Sequence, residues 1–532
     1  MNALLIYPQF PDTFWSFKHA LKFLGKRAAQ PPLGLMTVAA LLPAAWNKRL
    51  IDTNVERLRD RDLAWAEVVL LSGMHIQRDS LLQIVERCRT YGLRTVVGGP
   101  ITSTLPAEEL KADHVVIGEA ESLIAGLARD LERGMAKPVY QADERPEMVT
   151  SPLPDLSLVR MKRYSTMTVQ YSRGCPFNCE FCDIIEIYGR RPRTKAVEQV
   201  LAELDRLRAA GWRDAVFIVD DNFIGNKNRA KELLRALVEW RRERKAGFEF
   251  ITEASLNLAD DPELMVLMRD AGFRSVFLGI ETPDESGLIA SNKLQNTRRS
   301  LLESVATIQS YGLQVMGGFI LGFDTDREDI FDRMVEFIQS SAIPIAMVGL
   351  LQAMPGTQLF RRLGREGRIV DAGGGNNTCD RLNFLPRMDA ARLVEGYREV
   401  LKRIYNCEAY YERVKLYLSR TQPKPGEQGV GGRLKGERRE PVQPWITGAN
   451  LRALIHSIIR QGVLGRQRWS YWKFLAAAAT RYRRCFGAAM TLAVMGYHFQ
   501  VMTRKLLKTM DVPLLPEGAK EGQPAETGRP TE

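Results

Sequence analysis

A Cys-x3-Cys-x2-Cys run places Cys175, Cys179 and Cys182, three of the chain's seven cysteines, within eight consecutive residues. Thiols that close together commit the local backbone to wrapping one inorganic centre. A four-iron cluster normally takes four thiolates, and bacterial ferredoxin runs supply the fourth nearby. Here the next cysteine, Cys379, lies far along the chain. Three ligands leave one iron open, and an open iron can chelate a small molecule. Two plainer readings stand beside this one. Zinc would need a fourth donor from one of only five histidines or from a distant cysteine. A disulfide suits an exported protein better than this one.

At 532 residues the chain is too long for one ordinary core, so two or three domains are expected. Hydrophobic content of 45% and charged content of 26% are those of a globular protein, which excludes bulk disorder and a multispan membrane architecture. The opening Met1-Asn2-Ala3-Leu4-Leu5-Ile6-Tyr7-Pro8 has no basic start and its apolar run ends at a proline, so it reads as a first strand and no secretory signal. A cytoplasmic location with reduced cysteines is the expectation.

Residues 1–150 alternate short apolar strands with helices. Ala3–Tyr7, Arg49–Asp52, Val68–Ser72, Arg94–Val97 and Val115–Ile117 read as strands; Pro32–Leu42, Asp79–Tyr91 and Glu121–Glu132 read as helices. Five strands with helical crossovers predict a flavodoxin-like doubly wound parallel sheet, whose ligand site lies at the carboxyl ends of the strands. The turns there are Ser72-Gly73-Met74, Gly98-Gly99-Pro100 and Gly118-Glu119-Ala120-Glu121. Backbone can approach a ligand closely at such glycines.

A second alternation occupies residues 160–370. Strands at Thr168–Tyr171, Ala215–Val219, Phe248–Thr252, Ser275–Gly279, Gln314–Leu321 and Ala346–Leu350 alternate with amphipathic helices such as Val197–Ala210, Ala230–Arg244 and Arg298–Tyr311. Six βα units predict a partial (β/α)6 barrel, with its chemistry at the carboxyl ends of the strands. The cysteine run follows the first of them. The fold class expected is therefore α/β, followed by a helical, basic C-terminal region.

The cysteine spacing, Phe181 before the last cysteine and the βα units behind them resemble the radical S-adenosylmethionine (SAM) superfamily. That resemblance implies a 4Fe-4S cluster on Cys175, Cys179 and Cys182, with SAM held by the open iron. It also implies SAM contacts at the strand ends: Asp220 and Asp221 after the second strand, Glu253 after the third and Glu281 after the fourth. Carboxylates there can accept hydrogen bonds from an ammonium group or ribose hydroxyls. Phe181 is counted with these cofactor contacts. Gly317-Gly318-Phe319-Ile320-Leu321-Gly322-Phe323-Asp324 is similar to the family's fifth-strand glycine motif beside adenine, and Met354-Pro355-Gly356-Thr357 to its sixth-strand end. Each carboxylate alone would pass for a helix cap.

The N-terminal unit resembles the cobalamin-binding domain that precedes many such cores. Ser72, Gly98, Gly99, Pro100, Gly118 and Glu119 would line cobalamin. Met74 stands where the family's Ser-x-Leu turn has leucine, and the Asp-x-His-x-x-Gly run that ligates cobalt in mutases is missing. Cobalt would then lack a protein imidazole; His75, just past a strand end, is the one nearby candidate. Together the two units resemble cobalamin-dependent radical SAM methyltransferases. In that family one SAM is cleaved to a radical that removes a substrate hydrogen, the carbon radical takes a methyl group from methylcobalamin, and a second SAM restores it. The opening Tyr7-Pro8-Gln9-Phe10-Pro11-Asp12-Thr13-Phe14-Trp15-Ser16-Phe17 and the long basic tail look similar to the hopanoid C-2 methyltransferase branch. The resemblance implies a small-molecule or lipid substrate and an electron donor of the flavodoxin or ferredoxin type. Rival readings are a cobalamin radical cyclase, a tRNA-modifying radical enzyme and a non-catalytic cobalamin-binding protein.

Beyond the barrel, residues 371–420 read as a helical extension in which Cys379 and Cys407 are structural, 421–444 as a solvated linker, and 513–532 as disordered. Residues 445–510 carry eleven Lys or Arg and no Asp or Glu, nearly all of the formal charge of +12. The apolar run from Cys485 to Phe499 is too short to cross a bilayer and contains His498. Lying on an anionic membrane, or capping the barrel as packed helices, fits this tail. Nucleic acid is disfavoured because the segments between its charges are strongly apolar.

Overall fold

A computed structural model of the chain describes residues 1–142, 144–244, 247–378, 381–421 and 448–508. Cys379, all of the expected linker beyond residue 421 and the expected disordered end at 513–532 lie outside the described residues.

The first sheet has six strands: β1 (Asn2–Tyr7), β2 (Asn47–Asp52), β3 (Val68–Ser72), β4 (Arg94–Gly98), β5 (His114–Ile117) and β6 (Val139–Gln141). All pair in parallel in the order β2-β1-β3-β4-β5-β6. This is the doubly wound, flavodoxin-like order that the alternation predicts. Residues Ala3–Ile6 and Val68–Leu71 are buried throughout, because helices cover both faces of the sheet. β6 is the strand the sequence did not disclose. It is short and lies at the sheet's edge, with Val139 and Gln141 exposed, so it carries no apolar alternation.

The second sheet is formed by β7 (Met167–Val169), β10 (Val216–Ile218), β11 (Phe250–Ala254), β12 (Phe273–Glu281), β13 (Gln314–Leu321) and β14 (Ile345–Leu350). These six are parallel in sequential order, β7 at one edge and β14 at the other. A small antiparallel pair, β8 (Ser172–Arg173) and β9 (Arg193–Thr194), closes the loop that carries the cysteines. Along β11, β12 and β13 the side chains alternate between buried positions and the half-buried Glu253, Phe277, Gly279, Met316, Gly318 and Ile320. With helices packed on the buried side, the half-buried set faces the open interior of the partial barrel.

The C-terminal region is helical, with Ala390–Ile404, Cys407–Thr421, Gly448–Ser457, Arg468–Thr480 and Phe486–Leu506 as α-helices. Within this region Arg483–Leu506 is long and apolar enough by composition to span a bilayer, yet half of its most apolar stretch is buried in the protein. It packs on the Cys407–Thr421 helix and on the Lys18–Leu24 helix near the N-terminus. Gly496 admits the Tyr410 ring, whose hydroxyl donates to the Leu492 carbonyl at 2.6 Å. His498 is fully buried: Nε2 donates to the Phe14 carbonyl (3.0 Å) and Nδ1 accepts from the His19 amide (3.4 Å). Burial pushes its pKa down to about 4, so the ring is neutral. The histidine within the apolar run is thus a pin between the two ends of the chain.

Candidate functional site

The cysteine loop leaves β8 through Gly174, at φ 95°, where a β-carbon would run into the carbonyls of Gly189 and Arg191. That crossing requires glycine. Asp220 anchors the start of the loop from below: its Oδ1 accepts from the Tyr171 amide (2.7 Å), and its Oδ2 from the Ser172 amide (2.8 Å) and hydroxyl (2.7 Å). Burial pushes its pKa up to about 6 despite those bonds. Those three bonds make Asp220, which the sequence offers as a cofactor contact, an anchor for the start of the loop. The far side of the loop is held by Glu180, which pairs with Arg362 through both oxygens (2.5 and 3.1 Å). Asp324 then accepts from Arg362 (2.9 Å) and Arg368 (2.6 Å).

Cys175, Cys179 and Cys182 are all free thiols at the mouth of the barrel. The Asn222 side-chain amide lies 3.7 Å from the Cys175 sulfur, and that of Gln295 lies 3.7 Å from the Cys179 sulfur. Burial raises the Cys175 thiol and raises Cys182 well above the usual range. Among the described residues no three Cys, His, Asp or Glu side chains converge on a single ion. A tetrahedral zinc ion would need a fourth donor at the same centre, whereas a four-iron cluster takes each thiolate on a different iron.

Lys293, which the sequence did not single out, sits beside the cysteine loop. Its Nζ donates to Glu281 Oε1 at 2.7 Å and lies 6.0 Å from the centre of the Phe181 ring. Burial acts to lower its pKa, and Glu281 together with the Cys179 and Cys182 thiols overrides this, so the ammonium stays charged. Glu281 has φ 69° at the end of β12, and the pair passes over Gly279, where a β-carbon would collide with it. Gly279 inside a strand, followed two residues on by a glutamate, was the available signal. Gly317 and Gly318 have a different reason to be glycine: β-carbons there would press on the Phe319 and Phe277 rings. Phe181 packs beside Phe323.

Among the described residues Asp221 and Glu253 lack such partners. Asp221 Oδ2 is buried without a hydrogen bond, and burial with the nearby Glu253 charge raises its pKa well above normal. Burial, then Asp220, pushes Glu253 up to about 7. Among the described residues neither carboxyl has a cation paired with it, and such desolvated carboxyls are able to accept from an ammonium group or hydroxyls.

The glycine turns of the first sheet converge as expected. Ser72, Gly98, Gly99, Pro100, Gly118 and Glu119 line one groove, shared with Arg173 and Tyr188 of the cysteine loop. Gly99 has φ 86°, and a β-carbon there would overlap the Ser72 hydroxyl; Gly118, at φ 100°, faces open space. His75 is buried outside that lining. Its Nε2 donates to the Gly373 carbonyl (2.8 Å) and its Nδ1 lies 3.0 Å from the Thr104 hydroxyl, so neither nitrogen is available to cobalt.

Four buried charges join the turn after β5 to the β8-β9 pair. Arg173 donates to Glu119 (2.6 Å) and to both oxygens of Glu121 (3.1 and 2.9 Å), while Arg193 donates to both oxygens of Glu119 (3.1 and 2.5 Å). Burial works to raise the Glu121 carboxyl, and Arg173 more than offsets it, leaving it below its ordinary value. The turn beside the groove is thereby tied to the residue two before Cys175.

Family models match three stretches of the chain. Residues 27–128 match the B12 binding domain, residues 169–338 the radical SAM superfamily, and residues 357–511 a domain of unknown function, DUF4070. An uncharacterised methyltransferase of Synechocystis is 42% identical over 94% of this chain and 91% of its own. The hopanoid C-2 methylase of Rhodopseudomonas palustris is 37% identical over 89% of this chain and 88% of its own. Among solved structures, the radical SAM methyltransferase TsrM from Kitasatospora setae, with cobalamin and a [4Fe-4S] cluster bound, superimposes with a TM-score of 0.54 at 18% identity, covering 75% of this chain and 84% of TsrM. The cobalamin-dependent radical enzyme OxsB gives 0.59 at 14% identity, covering 95% and 80%.

Proposed function

Because the chain belongs to the cobalamin-dependent radical SAM methyltransferases, with a 4Fe-4S cluster, SAM and cobalamin as its cofactors, we propose that it methylates an unactivated carbon of a membrane lipid, of which a hopanoid at C-2 is the leading case. The observation that carries the reading is the shared groove: glycine turns of the first sheet and Arg173 and Tyr188 of the cysteine loop line the same space. A methyl donor held by one domain and a radical generator held by the other would then meet over one substrate.

When bound, the cluster with SAM supplies hydrogen abstraction and cobalamin supplies the methyl group, while the protein contributes position and exclusion of water. Cys175, Cys179 and Cys182 would hold three irons, with Asn222 and Gln295 donating to two of the sulfurs. Asp221 and Glu253 would accept from the SAM ammonium or ribose. Lys293, kept charged by Glu281, would face the carboxylate end of the same ligand and offset the thiolate charge. Ser72, Gly98, Gly99, Pro100, Gly118 and Glu119 would receive the buried part of cobalamin.

The lipid assignment rests on the methylase of Rhodopseudomonas palustris, whose name specifies a hopanoid, and on the barrel interior. Phe277, Met316 and Ile320 face that interior, and Trp15 packs on Phe277 with ring centres 5.1 Å apart. Such a lining suits a hydrocarbon skeleton. The enzyme would work at the cytoplasmic face of a membrane, reduced by a flavodoxin- or ferredoxin-type donor. Anaerobic reconstitution with iron, sulfide and cobalamin, followed by measurement of 5′-deoxyadenosine and S-adenosylhomocysteine with and without a hopanoid-containing lipid extract, tests the proposal. Both products should rise with lipid, and the lipid should gain one methylene in mass. Deoxyadenosine alone under every condition would overturn methyl transfer, and a rise with polar metabolites but not with lipid would overturn the substrate.

A further inference from the structure

One helical segment presents an apolar stripe to water in addition to the apolar residues it packs on the core. From Gly448 to Val463 the chain runs as an α-helix ending in a π-helical stretch, Ile458–Val463. Its buried positions include Ser457 and Gln461, which are polar: Gln461 donates to the Ser457 hydroxyl (2.9 Å), and the Tyr411 and Tyr471 hydroxyls reach Gln461 Oε1 (3.1 Å) and the Ser457 hydroxyl (3.0 Å). Its outward positions are Leu451, Ile455, Ile459 and Val463, spaced four apart, each between 45 and 56% exposed. Leu464 and Trp469 continue the apolar surface into the next turn and are more exposed still. Leu454, Ile458 and Ala453 pack inward beside Ser457 and Gln461, so the segment is apolar on both its inner and its outward side, where a surface helix normally turns a single apolar stripe to the core. Isolated exposed leucines mean little; a continuous exposed apolar stripe marks a binding surface.

We propose that this outward face is a docking surface for an anionic lipid bilayer. Charge selects that occupant. Arg452, Arg466, Arg468 and Lys473 flank the stripe, exposed and without an ion pair to any described residue, and no acid occurs between Gly448 and Lys508. Arg460 lies over the Phe23 ring. Apolar residues and tryptophan between exposed cations are the composition of a segment that lies in the headgroup layer, with cations drawn to anionic lipid. The polar bonds of Ser457 and Gln461 fix the helix's rotation, so the stripe is presented by the fold without rearrangement. The surface differs from the one the sequence suggests: the apolar run from Cys485 to Phe499 is consumed in packing, and the docking face belongs to the segment before it. The proposal deepens the lipid-substrate reading above and shares its premise, but it is measured without turnover.

The test is co-sedimentation of the reconstituted full chain with vesicles of phosphatidylcholine alone, or of phosphatidylcholine with one-third phosphatidylglycerol. Wild type should pellet with the anionic vesicles and release as salt is raised. The triple variant Ile455→Ser, Ile459→Ser, Val463→Ser should lose roughly tenfold or more in partitioning. The pair Arg452→Glu, Arg466→Glu should lose the gain due to phosphatidylglycerol. The exposed control pair Met135→Ser, Val149→Ser should bind as wild type. Unchanged cluster absorbance and an unchanged urea-unfolding midpoint show that each variant is folded. Vesicle binding by the triple variant equal to wild type overturns the proposal. So does a wild-type dimer in sedimentation velocity that the triple variant dissolves, or binding that appears only after residues 422–447 are deleted. Wild-type enzyme that binds vesicles but methylates no lipid would sink the substrate reading and leave this surface standing.

Discussion

Replacing Glu119 by alanine should cost more stability than replacing Glu121, although the two carboxylates stand two residues apart in one turn and both serve Arg173. The difference lies in what each leaves behind. Arg193 is buried, with 5% of its side chain exposed, and among the described residues Glu119 is its one carboxylate partner, held through both oxygens. Without Glu119, Arg193 keeps the Pro146 and Tyr188 carbonyls as its partners among the described residues. A buried guanidinium deprived of its counter-charge costs about 3–5 kcal/mol. Without Glu121, Arg173 keeps Glu119 at 2.6 Å and the Gln170 side-chain oxygen at 2.9 Å. That loss resembles removal of charged hydrogen bonds, about 1.5–3 kcal/mol. Urea denaturation of Glu119→Ala, Glu121→Ala and wild type at neutral pH, followed by tryptophan fluorescence, measures both. The Glu121 contribution carries a pH signature. Its folded pKa lies below the ordinary value of 4.5, so its stabilisation is present above that pH and is lost as pH falls through the folded pKa. The gap between wild type and Glu121→Ala should close in acid. A cost for Glu121→Ala equal to or above that for Glu119→Ala, or less than about 1 kcal/mol for both, would refute the idea that uncompensated buried charge governs this junction.

Other outcomes follow from the same geometry. Cys179→Ala should abolish the cluster's visible absorbance and 5′-deoxyadenosine formation while leaving cobalamin retention intact, as read by the cobalamin spectrum after gel filtration. Glu253 has its pKa raised from 4.5 to about 7, so ligand-free protein binds its proton more tightly folded than unfolded and loses that stability as pH rises through about 7. SAM, as a cation, should then bind more tightly as pH rises through the same range and release a proton on binding near pH 6.5; calorimetry in two buffers should show both, and Glu253→Gln should flatten the profile. Gly99→Ala places a side chain at φ 86° against the Ser72 hydroxyl, costing about 1–2 kcal/mol and lowering cobalamin affinity; unchanged cobalamin binding in equilibrium dialysis would argue against that turn as part of the cradle. Lys293→Met should strip Glu281 of its partner, raise the KM for SAM and leave cobalamin binding unaffected.

Much of this was legible along the chain because it depends on short-range periodicity. The period-2 strands and period-3.6 helices foretold both parallel sheets, and the cysteine spacing foretold the cluster loop. β6 escaped because an exposed edge strand of three residues needs no apolar alternation. The carboxylates illustrate the harder case. Asp220, Asp221, Glu253 and Glu281 look alike in sequence, each near a strand end, yet the fold separates them: Asp220 accepts from the Tyr171 and Ser172 amides, Glu281 pairs with Lys293, and Asp221 and Glu253 have no ion pair among the described residues. Burial and partner decide a carboxylate's chemistry, and both are set by residues distant in sequence.

The basic tail shows the same division at larger scale. Its charge and apolar content are properties of composition, and they were enough to raise a membrane or a helical cap. Which helix turns inward could not be read there, because Phe486–Leu506 and Gly448–Val463 are both apolar with basic neighbours. Tertiary structure decides: Tyr410 against Gly496 and the bonds of His498 bury the first, while Ser457 and Gln461 satisfy each other inside and leave the apolar stripe of the second in water. Local pattern determines which elements form and which cofactors their turns can hold. The three-dimensional pairing of buried polar groups determines which faces remain free to act, because an unpaired polar group costs more to bury than an apolar one costs to expose.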